Sequence, residues 1–160
     1  MARYSRVFAA LDDGGSRLAV ARRALSIAHD NNAEVLFAHA IDASMLEQAG
    51  VDSDEIALKS KQALEESLER QLTRAKGDDC IPSVEVKVKA GRTEGVLGEL
   101  AAEFKPDLVI CGVRGLSNVK YAFVGSVSTY LVRNMECDVL VVRPESIEDI
   151  DEDDYMQANR

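Results

Sequence analysis

The chain has 160 residues, 46% of them hydrophobic and 29% charged, and a formal net charge of −9. That length suits one domain with a single core, and no run approaches the roughly 18 to 20 apolar residues that span a bilayer. The acidic balance argues against nucleic acid, whose phosphates call for a basic patch.

The predicted elements follow in chain order. VFAAL at 7–11 is an apolar run of strand length, closed by Asp12, Asp13, Gly14 and Gly15. Ser16 reads as the N-cap of a helix in which Leu18, Ala21, Ala24, Leu25 and Ala28 recur at helical spacing. EVLFAHAI at 34–41 is a second buried strand, and the aperiodic, polar stretch 42–54 reads as a surface loop. Over 55–76, Ile56, Leu64, Leu68 and Leu72 line one face of a long, otherwise charged helix. SVEVKVKA at 83–90 alternates apolar and charged residues, the pattern of a strand with one wet face, which suits a sheet edge. A helix over 93–104 turns Val96, Leu97, Leu100 and Ala101 inward and is stopped by Pro106. DLVICG at 107–112 is the fourth strand, a helix follows over 125–134, and DVLVVRP at 138–144 is the fifth strand.

Five strands alternating with four helices predict an α/β domain, a mostly parallel sheet with helices on both faces. The strands at 7–11, 34–41 and 107–111 are the most apolar and belong in the middle. Right-handed crossovers then favour the order 3-2-1-4-5, with strands one and four adjacent where the winding reverses. Ligands of such sheets bind beyond the strand C-termini at that reversal. Two loops flank it here, DDGG after strand one and GVRGLSN after strand four.

The second loop opens a motif. Gly112-Val113-Arg114-Gly115, nine further residues and Gly125-Ser126 give the spacing G-x2-G-x9-G-S. Glycine at 112 and 115 permits positive φ and lets an anion approach the backbone amides. Gly125-Ser126 falls where a helix starts, and its unpaired N–H groups and positive dipole end favour phosphate oxygens. Ser126 and Ser128 can add hydroxyl donors, and Arg114 a charge-assisted contact. Any strand-loop-helix junction also wants turn glycines and a Ser or Gly cap, so the pieces gain meaning from their place at the reversal.

Over about residues 4–144 the chain resembles the universal stress proteins. RVFAALDD, EVLFAHAID, DLVICGVRG, the G-x2-G-x9-G-S spacing and CDVLVVRP carry the likeness. The resemblance implies a Rossmann-like, adenine nucleotide alpha hydrolase-like, three-layer domain over 1–144 with a five-stranded parallel sheet. Its motif is that of the nucleotide-binding branch, which implies ATP, or ADP or AMP, with Mg or Mn as a companion ion. By position, Leu11 and Asp12 end strand one, and Asp12 is similar to the acid that accepts a hydrogen bond from the adenine amino group. Ala40 takes the strand-two position whose backbone meets the adenine edge, and Cys111 would lie under the base. Gly112 and Gly115 would bracket ribose and phosphates, while Ser126, Val127 and Ser128 would hold phosphate oxygens. A carboxylate suits an exocyclic amine and repels phosphates, which the other loop takes. Asp13 is the rival for the adenine role, because a doubled acid replaces the family's usual acid-Gly-Ser. Asp138 also stands where the last strand often begins with proline.

No catalytic set assembles. His39 lies inside an apolar strand and reads as a satisfied core or rim histidine, and His29 is on the first helix, away from the crevice. The P-loop lysine is absent. Cys80, Cys111 and Cys137 with two histidines do not space like a zinc cage, so no protein metal ligands are expected and the cysteines read as reduced thiols of a cytoplasmic protein. MARYSRVFAALDDGG lacks an apolar signal core, which agrees with that location. Residues 145–160 carry seven acids and one base and read as a disordered, solubilising tail, or as an acidic docking tail for a basic partner. The expectation is an ATP-binding stress-response regulator with little or no hydrolysis; the alternatives are a nucleotide-independent interaction module and a weak ATPase. The apolar strand 138–143 would leave an unpaired edge, and the resemblance implies that it pairs with the same strand of a second copy in a homodimer. The regulatory partner is not legible.

Overall fold

A computed structural model of the chain describes residues 2–113 and 125–143. The strands are β1 (Arg6–Ala10), β2 (Glu34–Ile41), β3 (Val84–Ala90), β4 (Leu108–Gly112) and β5 (Asp138–Val142). The helices are α1 (Arg17–Asn31), α2 (Ser44–Gln48), α3 (Ser53–Ser67), α4 (Glu69–Lys76), α5 (Thr93–Phe104) and α6 (Ser126–Asn134). All four strand pairings are parallel, and the sheet order is β3-β2-β1-β4-β5, the predicted 3-2-1-4-5.

Strand parity divides the core into two layers. Val7, Ala9, Val35, Phe37, Leu108 and Ile110 face α1, α3 and α4, where they meet Val20, Ala24, Leu64 and Leu72. Phe8, Ala10, Leu36, Ala38, Val109 and Cys111 face α5 and α6, packing on Leu97, Leu100 and Leu131. Because side chains alternate along a strand, only runs apolar at every position can serve both layers. That is why β1, β2 and β4 occupy the interior of the sheet. In β3 the valines are half-buried while Glu85, Lys87 and Lys89 are exposed, as its edge position requires.

The structure corrects four local expectations. The helix expected over 55–76 is two helices, parted at Leu68 with φ −109° and ψ 13°. The Ser67 hydroxyl donates to the Leu64 carbonyl at 2.8 Å, a back-bond that bends helices. Packing gains from the bend. Residues four apart drift by about 40° around a straight helix, yet Leu64, Leu68 and Leu72 all stay buried. The loop expected over 42–54 contains α2, whose Met45 and Leu46 are exposed. Leu18, placed on the apolar stripe of α1, is 37% exposed, whereas Ala21, Ala24 and Ala28 are fully buried. Ser16 stands at the N-cap of α1 but makes no side-chain capping bond. The α3 start is capped instead by Asp52, which accepts from the N–H groups of Asp54 and Glu55 at 2.8 and 3.3 Å.

Leu64 anchors α3 at 1% exposure. Leu64→Ala is expected to lower unfolding free energy by about 3 kcal/mol, the usual cost of such a core truncation, with the urea midpoint as the measurement.

Candidate functional site

β1 and β4 are neighbours in register from Val7–Leu108 to Ala9–Ile110. Their crossovers leave in opposite directions, to β2 on one side and β5 on the other. In sheets of this kind a crevice opens at such a reversal, beyond the strand C-termini; the loop after β4 lies from residue 114 outside the described residues. In a parallel strand-helix-strand unit the helix runs back against the strands, which puts the start of α6 at this same end.

Leu11 is buried and holds the floor. Its N–H donates to the Ala38 carbonyl at 2.8 Å, and its carbonyl accepts from His39 Nδ1 at 2.8 Å. His39, 4% exposed, is thus the satisfied histidine that its apolar strand suggested. Beyond Leu11 the chain turns, and Asp12 Oδ1 accepts the Gly14 N–H at 2.9 Å. Such an Asx turn is the ordinary use of an aspartate before glycine. The other oxygen, Oδ2, lies 3.5 Å from Ser16 Oγ.

Asp13 is engaged differently. It is exposed, pairs with Arg17 at 2.7 Å and stands 3.5 Å from His39 Nε2. Arg17 also donates from Nε to the Asp12 carbonyl at 2.6 Å. One guanidinium therefore straps the whole turn. The spacing of Asp13 and Arg17, four apart, carries a signal for this pair. Nothing in the sequence links His39 to the Leu11 carbonyl, because strand adjacency creates that contact.

On the β4 side, Cys111 is buried and faces the α5–α6 layer. Burial, with the nearby Asp12 charge as the lesser cause, pushes its thiol up to about 11. Asp12 and Cys111, two of the expected site residues, are thereby brought within electrostatic reach of each other. Ala40 lies on β2 opposite Lys89, half-buried against the same layer as Cys111.

Gly112 is needed for a reason other than the expected one. Its φ is not positive. A Cβ there would overlap Ser16 Oγ, lie 2.6 Å from Ser16 Cβ and 3.3 Å from Val20 Cγ2. The missing side chain lets the first turn of α1 close onto the end of β4. Arg114 and Gly115 lie outside the described residues.

Gly125 is the extended N-cap of α6, with φ −74° and ψ 178°, again not a positive-φ position. The first backbone bond of the helix runs from the Thr129 N–H to the Gly125 carbonyl at 3.1 Å. The amides of Ser126, Val127 and Ser128 are the orphan donors of the first turn. Ser126 is exposed, whereas Ser128 is buried and its hydroxyl donates to the Gly125 carbonyl at 3.1 Å. The Ser128 hydroxyl thus stiffens the helix start.

A helix-covered parallel sheet, reversing between two central strands with an acid on one loop and a helix start on the other, belongs to the doubly wound α/β class. Within that class the chain is a member of the universal stress protein family, whose model matches residues 3–143. A putative universal stress protein of Staphylococcus haemolyticus (strain JCSC1435) is 32% identical over 151 residues, covering 92% of this chain and 89% of that one. A solved universal stress protein in complex with cAMP is similar at TM-score 0.63 and 28% identity, covering 89% of this chain and 98% of its own. A universal stress protein family member from Arabidopsis thaliana with AMP bound is similar in fold, with TM-score 0.59 at 18% identity over 94% of this chain and 99% of its own. Among the described residues no helix is long and apolar enough to cross a membrane.

Two outcomes follow from the geometry. Gly112→Ala is expected to destabilise the fold by about 1–3 kcal/mol through overpacking; adding Ser16→Gly should restore most of the loss in a denaturant titration. The Cys111 thiol ionises near pH 9 when unfolded but only near 11 when native. Between those values the unfolded chain loses a proton that the native chain keeps, so stability falls as pH rises. The loss amounts to about 2–3 kcal/mol by pH 11, and Cys111→Ala should flatten that part of the curve of unfolding free energy against pH.

Proposed function

We propose that the protein is an adenine-nucleotide-binding stress regulator which holds its ligand in the crevice between the ends of β1 and β4. The observation that carries this reading is the division of chemistry across the crevice. A half-buried carboxylate, Asp12, stands on one loop, and the start of α6 stands on the other. An exocyclic amine seeks the first and phosphate oxygens the second. The solved relatives with cAMP and AMP support an adenine nucleotide.

Asp12 is the better partner for the adenine amine. Its Oδ2, 3.5 Å from Ser16 Oγ, keeps lone pairs to offer, whereas Asp13 is committed to Arg17. Leu11 and Ala40 would line the base, Gly112 would pass beneath the ribose, and the amides of Ser126, Val127 and Ser128 would take phosphate. Arg114 and Gly115 would complete the cradle. The length of G-x2-G-x9-G-S suits a polyphosphate, so ATP is the proposed ligand, with ADP and AMP as shorter congeners.

Magnesium or manganese prefers several oxygen ligands. Asp12 already accepts from Gly14, and Asp13 is paired with Arg17. A divalent ion would therefore arrive on the nucleotide phosphates and draw few ligands from the protein. His39, the histidine of this crevice, is occupied by the Leu11 carbonyl, which favours retention over hydrolysis.

Equilibrium binding of labelled ATP, AMP and cAMP tests the proposal. Wild type should bind ATP below the millimolar range. Asp12→Ala and Gly115→Asp should each weaken it at least tenfold, and Asp13→Ala should do so much less. Absence of sub-millimolar affinity for all three nucleotides would leave the nucleotide-independent interaction module as the reading. Magnesium-dependent turnover that survives repurification and vanishes in Gly115→Asp would instead favour the weak ATPase.

We also propose a homodimer through β5. It is an edge strand, and Val139, Leu140 and Val141 are only partly buried. An antiparallel pairing of two such edges would use their free backbone groups and create no new edge. Light scattering at tens of micromolar should give twice the chain mass; a monomer at that concentration would refute the assembly.

A further inference from the structure

A second cluster lies at the far end of α1. His29 in its last turn meets Asp78 and Cys80 of the turn between α4 and β3, and one ligand atom from each of the three lies within 4.8 Å of the others. His29 Nδ1 is 2.7 Å from Asp78 Oδ2. Twelve residues of helix separate Arg17 from His29, about 18 Å at 1.5 Å per residue. The cluster is therefore remote from the crevice.

From this juxtaposition we infer a transition-metal site of the zinc type, formed by His29, Asp78 and Cys80. Several features hold these groups in place. Asp78 Oδ1 accepts the Cys80 N–H at 2.9 Å, which turns Oδ2 toward His29. The Ile81 N–H donates to the Asp78 carbonyl at 3.0 Å and closes the turn. Buried residues pin each backbone: Ala28 beside His29, with Ala75 and Ile81 on either side of Asp78 and Cys80. The C-terminal ends of α1 and α4 both reach this corner, and their negative dipole ends favour a cation.

The donor set selects the ion. Imidazole nitrogen, thiolate and carboxylate suit a borderline-soft divalent ion such as Zn²⁺ and not Mg²⁺ or Ca²⁺, which want oxygen. On binding, the S–H bond of Cys80 breaks, sulfur donates its electron pair to the metal and the proton leaves to solvent. Bonds of about 2.0–2.3 Å to the ion require His29 and Asp78 to open slightly from their present contact and the Cys80 sulfur, within 4.8 Å of both, to close in on the ion. Three protein ligands leave a fourth, open position for water or an exogenous donor. His29 and Asp78 are partly exposed, with side-chain exposures of 54% and 25%, so an ion can enter.

Cobalt is the spectroscopic probe. Nucleotide-free, full-length protein titrated with Co²⁺ should bind one equivalent and develop a thiolate-to-cobalt charge-transfer band with tetrahedral visible bands. Zn²⁺ should displace them. Cys80→Ser should abolish the charge-transfer band, and His29→Gln should weaken binding at least tenfold. Asp78→Asn, which keeps an acceptor for the Cys80 N–H, should also weaken binding tenfold, while Cys137→Ser should bind as wild type. Zn²⁺ should raise the melting temperature of wild type and leave that of His29→Gln unchanged. No band at millimolar Co²⁺ with the protein folded by circular dichroism, or a band that persists in Cys80→Ser, would overturn the site.

Discussion

The contact between Gly112 and Ser16 sets the geometry at the ends of β1 and β4. Ser16 is 3% exposed because it occupies the volume that a side chain at 112 would need. This places the first turn of α1 directly against the last residue of β4, and it brings Val20 onto the sheet behind it. The short loop from Leu11 to Ser16 is thereby held at both ends, by the Leu11 N–H on the Ala38 carbonyl and by Ser16 against Gly112. A β-carbon at 112 would push α1 outward and open the joint between two interior strands. The glycine is thus a packing device first, and any approach of a ligand to its backbone comes second.

The doubled acid of the first loop resolves into two separate tasks. Asp12 Oδ1 accepts a backbone N–H and shapes the turn, while its Oδ2 lies 3.5 Å from Ser16 Oγ. Asp13 points out to Arg17 and His39. Arg17 bridges both residues, one through its backbone carbonyl and the other through its carboxylate. Exposed ion pairs contribute little to stability by themselves, so the value of this pair lies in orientation. It commits the Asp13 carboxylate to Arg17.

Helix α1 joins two chemically different ends of the molecule. Its N-terminal turn borders the crevice, and its C-terminal turn carries His29 against Asp78. Between them Ala21, Ala24 and Ala28 are fully buried on the sheet, so the helix lies close and is rigidly seated. The small residues permit that approach. An ion at the His29 end would staple α1 to the turn after α4 without touching the strand ends where a nucleotide would sit.

The order of the sheet was legible because hydrophobic pattern and chain handedness leave few options. Runs apolar at every position must be interior, an alternating run must be an edge, and right-handed crossovers arrange the rest. The same pattern placed Asp12, Cys111, Gly112 and the start of α6 at one end of the sheet. What stayed hidden were consequences of side-chain contact. The bend at Leu68 depends on a Ser67 hydroxyl and on keeping three leucines against one surface. The different contacts of Asp12 and Asp13 come from where Arg17 reaches. The need for glycine at 112 came from Ser16, not from backbone dihedrals. His29 met Asp78 across 49 residues of chain, a distance no local spacing rule can see. Periodicity and turn chemistry are local, so the sequence determined elements, topology and the end of the sheet that carries the crevice. Contacts between residues far apart in the chain exist only once the layers pack, and these decided which side chain does which task.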